Sequence, residues 1–320
     1  MPLIESTYRP PFGLKNGHAA TIFPVLFRRV PPVSYERTRL ELDDGDFLDL
    51  DWLKKGNRRL VIIAHGLESD SQAHYVRGMA LALAKRNYDA LAWNCRGCSG
   101  EPNRLLRSYH SGVSEDLREV VKHALELGYE EIFLVGFSLG GNITLKFIGE
   151  EGEKIDPRVK AAVAISVPCD LTSSSLRLGK FANQIYMRRF MDGLCSKIRQ
   201  KNEVFPENVD LNGLRKMRTF GDFDERYTAP LNGFSGARDY WSKASSRPYL
   251  EKIDMPTLLI NAADDPFLDE PCFPRDIAEN NPHFFLEIPS HGGHVGFTSR
   301  GVEGWLEKRT AEFFGEKISP

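Results

Sequence analysis

Ser138 sits at the centre of Gly136-Phe137-Ser138-Leu139-Gly140, a G-x-S-x-G pattern. A serine hydroxyl is a weak nucleophile at neutral pH. It needs an adjacent base, and the base needs an acid to orient it. When the three follow in the order serine, acid, histidine, the base must come last. His283, His291 and His294 stand in the carboxyl-terminal part of the chain. His291 and His294 flank Gly292-Gly293, in a loop able to turn back over the serine. His294 is assigned as the base, with His291 as competitor, while His283 reads as a strand-edge histidine. Candidate acids follow strand-like runs: Asp264 and Asp265 in NAADDPF, and Asp170 in PCD. A place a few residues into the loop after the penultimate strand selects Asp265. Asp264 could brace the turn before Pro266, and Asp170 stays open as a third candidate. The chemistry is acyl transfer through a covalent acyl-serine. Its oxyanion needs backbone donors, for which the amides of Leu139 and Leu67 are placed. No metal or organic cofactor is required.

The elements that must carry these residues are legible in the apolar pattern. Ile132 to Val135 reads as a buried strand, and Leu139, Ile143 and Phe147 recur at helical spacing after it. The serine is therefore expected on a sharp strand-to-helix turn. Side chains at Gly136 and Gly140 would collide there with neighbouring backbone. Leu60 to Ala64, Ala90 to Asn94, Val159 to Val167, Thr257 to Asn261 and His283 to Ile288 read as further strands. Arg37 to Asp43 and Phe47 to Lys54 alternate around Asp44-Gly45, a hairpin signature. Helices are expected over Tyr75 to Lys85, Val113 to Leu127, about Cys272 to Asn280, and Val302 to Phe314. The buried stripe of the last comprises Val302, Trp305, Leu306 and Phe313. Alternating strands and helices predict an α/β fold with a mostly parallel, doubly wound sheet. The alternation stops between Asp170 and about Leu250, which predicts a helical cap inserted over the site. The expected organisation is an amino-terminal arm (1–35), a core (36–170 and 251–320) and the cap (171–250).

At 320 residues the chain can bury a substantial core. A formal net charge of −2 argues against nucleic acid as a partner. No run of about 18 apolar residues predicts a transmembrane helix, and MPLIESTYRPPFGLKNGH lacks the apolar core of a secretory signal. The five cysteines, at 95, 98, 169, 195 and 272, form no regular framework, so a reduced, cytoplasmic protein is expected. Cys95-x-x-Cys98 has no second Cys/His pair at zinc spacing. His65 and Asp70 form an H-x4-D pattern, but His65 is read as holding the oxyanion loop.

Several longer stretches carry more information than the serine motif alone: RPPFGLKNGHAATIFP, HGLESDSQAHY, NCRGCSGEPNR, GFSLGGN, NAADDPF and HGGHVGF. In these the chain, from about Tyr8 to Phe314, resembles the YheT-like branch of the α/β-hydrolase superfamily. That group also holds plant embryogenesis-associated hydrolases and mammalian abhydrolase-domain proteins. The resemblance implies the α/β-hydrolase fold and a triad on Ser138, Asp265 and His294. It also implies action on carboxylic esters, including acyl lipids in some members.

The expected protein is a serine carboxylesterase for small-molecule or lipid esters. The alternatives are an acyltransferase using the same triad and a non-catalytic lipid- or partner-binding protein. Some of the aromatics between Leu171 and Leu250 should line an acyl pocket; the rest should form the cap's own core. Met187, Met191, Leu194 and Ile198 repeat at intervals of four, three and four. Arg188, Arg189, Lys197, Arg199 and Lys201 lie beside or opposite this stripe. An ordinary helix of this kind turns its stripe to the core. The sharper expectation is transient docking on an anionic membrane.

Overall fold

A computed structural model describes residues 2–299, 301 and 303–318. Nine strands form one sheet in the order β1-β9-β8-β7-β6-β4-β5-β3-β2. In chain order these are β1 (Leu3–Ile4), β2 (Glu36–Glu41), β3 (Phe47–Leu53), β4 (Arg59–Ala64), β5 (Asp89–Trp93), β6 (Glu131–Phe137), β7 (Val159–Ile165), β8 (Thr257–Ile260) and β9 (Phe284–Glu287). The β2–β3 and β3–β5 pairs are antiparallel; every other pairing is parallel. Ile62 of β4 lies opposite Leu91 of β5 and Leu134 of β6, which in turn faces Ala162 of β7.

Because side chains alternate across a strand, each central strand feeds two cores. Ile62, Leu134 and Ala162 join α3 (Ser114–Glu126) and α4 (Leu139–Glu151) on one face. Val61, Val135 and Val163 join α2 (His74–Ala84) and the carboxyl-terminal helix on the other. That last helix runs Trp305–Ile318 and buries Leu306 and Phe313 as expected; Val302 lies outside the described residues.

The arm is more than a covering strand of chain. It contributes β1, paired in parallel with β9, and α1 (Gly17–Phe27), capped by Asn16, whose side chain accepts from the His18 and Ala19 amides. Between β7 and β8 the chain makes helices only. These are α5 (Leu171–Leu178), α6 (Gln184–Val204), α7 (Phe220–Phe223), a π-helical turn (Asp224–Thr228), α8 (Ala229–Leu231) and α9 (Ala237–Ala244), with short 3-10 turns at Phe181–Asn183, Leu214–Lys216 and Arg247–Lys252. After β8 come α10 (Arg275–Asn280) and, as α11, the Trp305–Ile318 helix.

The stripe of α6 points inward: Met187, Met191 and Ile198 are buried and Leu194 packs on the same core. Two of its basic neighbours are drawn in as well. Lys197 Nζ pairs with Glu68 at 3.1 Å and reaches Cys98 Sγ at 2.9 Å. Lys201 Nζ is buried against Asn103 Oδ1 at 2.6 Å. The stripe is thus turned to the core, as in an ordinary amphipathic helix, and presents no apolar face to solvent in this conformation. Among the described residues no helix is long and apolar enough to cross a membrane.

Candidate active site

The turn carrying Ser138 is as tight as its glycines require. A Cβ on Gly136 would stand 2.5 Å from the Gly140 carbonyl oxygen; one on Gly140 would stand 2.5 Å from the carbonyl oxygens of Ala64 and His65. Hydrogen at Gly136 lets β6 turn tightly into α4, and hydrogen at Gly140 lets α4 approach the end of β4. Ser138 itself takes φ +52°, ψ −118°, a conformation costly for any residue with a side chain. The turn is held by a bond from the Ser138 amide to the Ile165 carbonyl at 2.8 Å.

His294 Nε2 lies 2.8 Å from Ser138 Oγ, and its Nδ1 lies 2.9 Å from Asp265 Oδ2. Asp265 is buried and its other oxygen accepts the Phe267 amide at 2.9 Å. With the carboxylate accepting from Nδ1–H, Nε2 is left free to accept the serine proton. Phe267 stacks on the imidazole with centroids 4.0 Å apart.

The competing residues are placed elsewhere. Asp170 caps α5, accepting the Ser173 amide at 2.7 Å. Asp264 accepts the Gly293 amide at 2.9 Å and lies 3.4 Å from His291, so it braces the histidine loop. His283 lies 3.4 Å from Asp254, away from the serine.

The expected oxyanion donors have suitable surroundings. In the loop after β4, the Gly66 amide donates to Tyr75 Oη and the Glu68 amide to Tyr109 Oη, both at 3.1 Å. The Leu67 amide between them, and the Leu139 amide at the start of α4, have no partner among the described residues. His65 is fully occupied: Nδ1–H donates to the Gly66 carbonyl at 2.7 Å and Nε2 accepts the Cys95 amide at 3.1 Å. Burial pushes its pKa down to about 4, so it is neutral and structural. Asp70 accepts the Gln72 amide instead of touching His65.

Three positioning residues have no counterpart among the expected ones. Thr21 Oγ1 accepts the His294 amide at 2.9 Å, and Ser166 Oγ accepts the Val295 amide at 2.9 Å. Val295 has φ +54°, rare for a β-branched residue. Phe267 is the third. The adjoining motifs NGHAATIFP and HGGHVGF were the available signal, but neither shows that α1 packs against the histidine loop.

Two spaces open onto Ser138 and His294. An inner cavity of about 90 Å³ is lined by Leu178, Phe190, Phe220, Tyr240 and Trp241, with Asp224 on its wall. An outer groove of about 570 Å³ runs between α1 and α6 past Leu26, Ile185 and Tyr186. Of the aromatics between Leu171 and Leu250, Tyr186, Phe190, Phe220, Tyr240 and Trp241 line these spaces, whereas Phe223 and Tyr227 are buried away from them and Phe181 is exposed. Among the described residues no His/Cys/Asp/Glu group is arranged to hold a metal ion.

Residues 59–300 match the family model described as alpha/beta hydrolase fold. The chain is 35% identical over 319 residues to YheT of Escherichia coli K12, covering 97% of this chain and 93% of that protein. It is 29% identical over 307 residues to human phospholipase ABHD3, covering 92% of this chain and 75% of that one. Among solved structures, the Pyrococcus furiosus esterase Pf2001 superposes with a TM-score of 0.61 at 18% identity, over 91% of this chain and 99% of that one; this likeness concerns the fold.

Proposed function

The chain belongs to the YheT-like branch of the α/β-hydrolase superfamily, an esterase/lipase-type family, and on that premise we propose that it hydrolyses carboxylic esters through an acyl-enzyme on Ser138. The observation that carries the reading is the unbroken chain Ser138 Oγ, His294, Asp265, with links of 2.8 and 2.9 Å. Ser138 Oγ attacks the ester carbonyl carbon while its proton passes to His294 Nε2. The amides of Leu67 and Leu139 stabilise the resulting oxyanion. The bond to the alcohol oxygen then breaks, and His294 returns the proton to that oxygen. Water, deprotonated by His294, attacks the acyl-serine and releases the acid and Ser138. Asp265 holds the imidazole tautomer throughout.

The two spaces on either side of the nucleophile suit the two halves of an ester. Their largely apolar linings favour a hydrophobic acyl or alcohol part. The helical insertion 171–250 serves as the cap that walls off the inner space, and the arm 1–35 supplies the far bank of the groove. The similarity to a phospholipase supports acyl lipids as candidate substrates.

A fluorophosphonate probe tests the reading. It should label wild-type protein at Ser138 and leave Ser138→Ala unlabelled, and an ester panel should then show turnover in the wild type alone. Folded wild-type protein that neither labels nor turns over any ester would leave a binding scaffold as the better account.

A further inference from the structure

Helix α1, GHAATIFPVLF, contains no acidic or basic residue apart from His18. Its solvent face consists of Phe23, Val25, Leu26 and Phe27, with Leu26 66% and Phe27 63% exposed. The outward face of a surface helix is ordinarily charged, and a contiguous apolar patch marks an interaction site. Across the groove Ile185, in the first turn of α6, is 66% exposed, and Phe181 in the turn before that helix is exposed too. The two banks are one surface. His18 Nδ1 lies 3.1 Å from Tyr186 Oη and the two rings stack. Between the banks the groove descends to Ser138 and His294.

Basic residues stand beside this surface, Arg189 on the wall of the groove itself. Arg29 follows α1 by two positions. Arg188 and Arg189 stand three and four residues after Ile185, on the same helical face. All three are exposed, and none of their side chains has an ion pair or hydrogen bond among the described residues. Arg28, by contrast, is committed to Glu307.

We propose that the α1–α6 surface docks reversibly on an anionic lipid layer and draws ester substrate from it through the groove to Ser138. The occupant follows from the geometry. A protein partner seated on both banks would close the groove that leads to the nucleophile. A lipid layer covers the same apolar side chains while delivering an ester through the opening. The uncommitted arginines match anionic headgroups. At ~1 kcal/mol for each basic residue near such a surface, three supply roughly 100-fold between anionic and neutral lipid at low salt.

The inference rests on the esterase reading for the delivery step, but docking is measurable without turnover. Cosedimentation of the Ser138→Ala protein with phosphatidylglycerol and phosphatidylcholine vesicles, at low and high salt, reads the partition directly. Binding to the anionic vesicles should exceed binding to the neutral ones and fall with salt. Phe23→Ser/Phe27→Ser and Arg29→Glu/Arg188→Glu should each weaken it at least about tenfold. Placed in the Ser138-containing protein, the same pairs should leave turnover of a short water-soluble ester unchanged. Negligible binding to both vesicle types, or full binding by both variants, overturns the proposal. A dimer that Phe23→Ser/Phe27→Ser dissociates, without vesicle binding, overturns it in favour of a second copy on this face. Vesicle binding by a protein that labels with no fluorophosphonate would sink the esterase reading and leave docking intact.

Discussion

The Thr21 hydroxyl, on a helix near the amino terminus, accepts the backbone N–H of His294 at 2.9 Å. The same hydroxyl donates to the Gly17 carbonyl at 2.6 Å, so its own helix fixes its direction. Gly17 packs so closely on the acid loop that a Cβ there would stand 1.8 Å from the Asp264 carbonyl oxygen. The arm thus contacts both loops that the proposed base and acid come from, and it braces the base by its main chain.

Thr21→Val keeps the shape and removes the acceptor. The His294 amide would be left without its partner, at a cost of roughly 1–3 kcal/mol. Because the loop can relax only by shifting His294, turnover and fluorophosphonate labelling should both fall, by about tenfold or more. Thr21→Ser should restore most of both. A melting temperature lowered with labelling rate unchanged would mean that Thr21 supports the fold alone.

The triad assignment makes sharper demands. Ser138→Ala and His294→Ala should each lower ester turnover by roughly a thousandfold or more with the fold retained. Asp265→Asn should be nearly as severe, since an amide disfavours the required imidazole tautomer. Asp170→Asn should leave turnover near wild type, because Asp170 faces the α5 amides. Loss of activity in Asp170→Asn with near-normal Asp265→Asn would overturn the choice of acid.

A stability prediction concerns Arg96, in NCRGC. Its buried guanidinium makes a forked pair with Asp116, at 2.9 and 2.7 Å, and also reaches Asp44 at 2.7 Å and Asp46 at 3.0 Å. Burial raises the Asp116 carboxyl and Arg96 opposes that rise. Arg96→Leu would strand at least two buried carboxyl groups, so it should destabilise by ~3–5 kcal/mol. The urea midpoint checks this; a change under 1 kcal/mol would show that the carboxyl groups find other partners or simply protonate.

How much could be read beforehand depended on how local the cause was. The elbow was legible because strand, turn and helix are adjacent in sequence, and the steric reason for Gly136 lies within that stretch, whereas Gly140 packs against the distant carbonyls of Ala64 and His65. Asp265 and His294 were reachable through chain order. Thr21 was not, since its contact with His294 spans 273 positions and nothing in a threonine on a helix names its partner. The stripe of α6 shows the same limit. Periodicity gives a face, but whether protein or solvent covers that face depends on what packs there. Met187 and Met191 are covered, and the exposed apolar face belongs to α1, in the stretch expected only as an amino-terminal arm.

Asp224 gives the last prediction. It begins the π-helical turn, lines the inner cavity, and accepts from Thr228 Oγ1 at 2.6 Å and Trp241 Nε1 at 2.8 Å. Burial pushes its pKa up to about 6, against the milder lowering by these two hydrogen bonds. A folded-state pKa above the unfolded one means that the folded chain binds the proton more tightly. Stability from this group is therefore full below about pH 4, falls as pH rises through about 4 to 6, and is lost above that range. A rise of about two pH units corresponds to ~3 kcal/mol at most. Asp224→Asn removes the titration while keeping an acceptor for one of the two donors. The melting temperature of the variant minus that of wild type should thus be more positive at pH 8 than at pH 4. A difference that is flat with pH would mean that Asp224 titrates near the ordinary aspartate range, and that burial on the cavity wall leaves it well solvated.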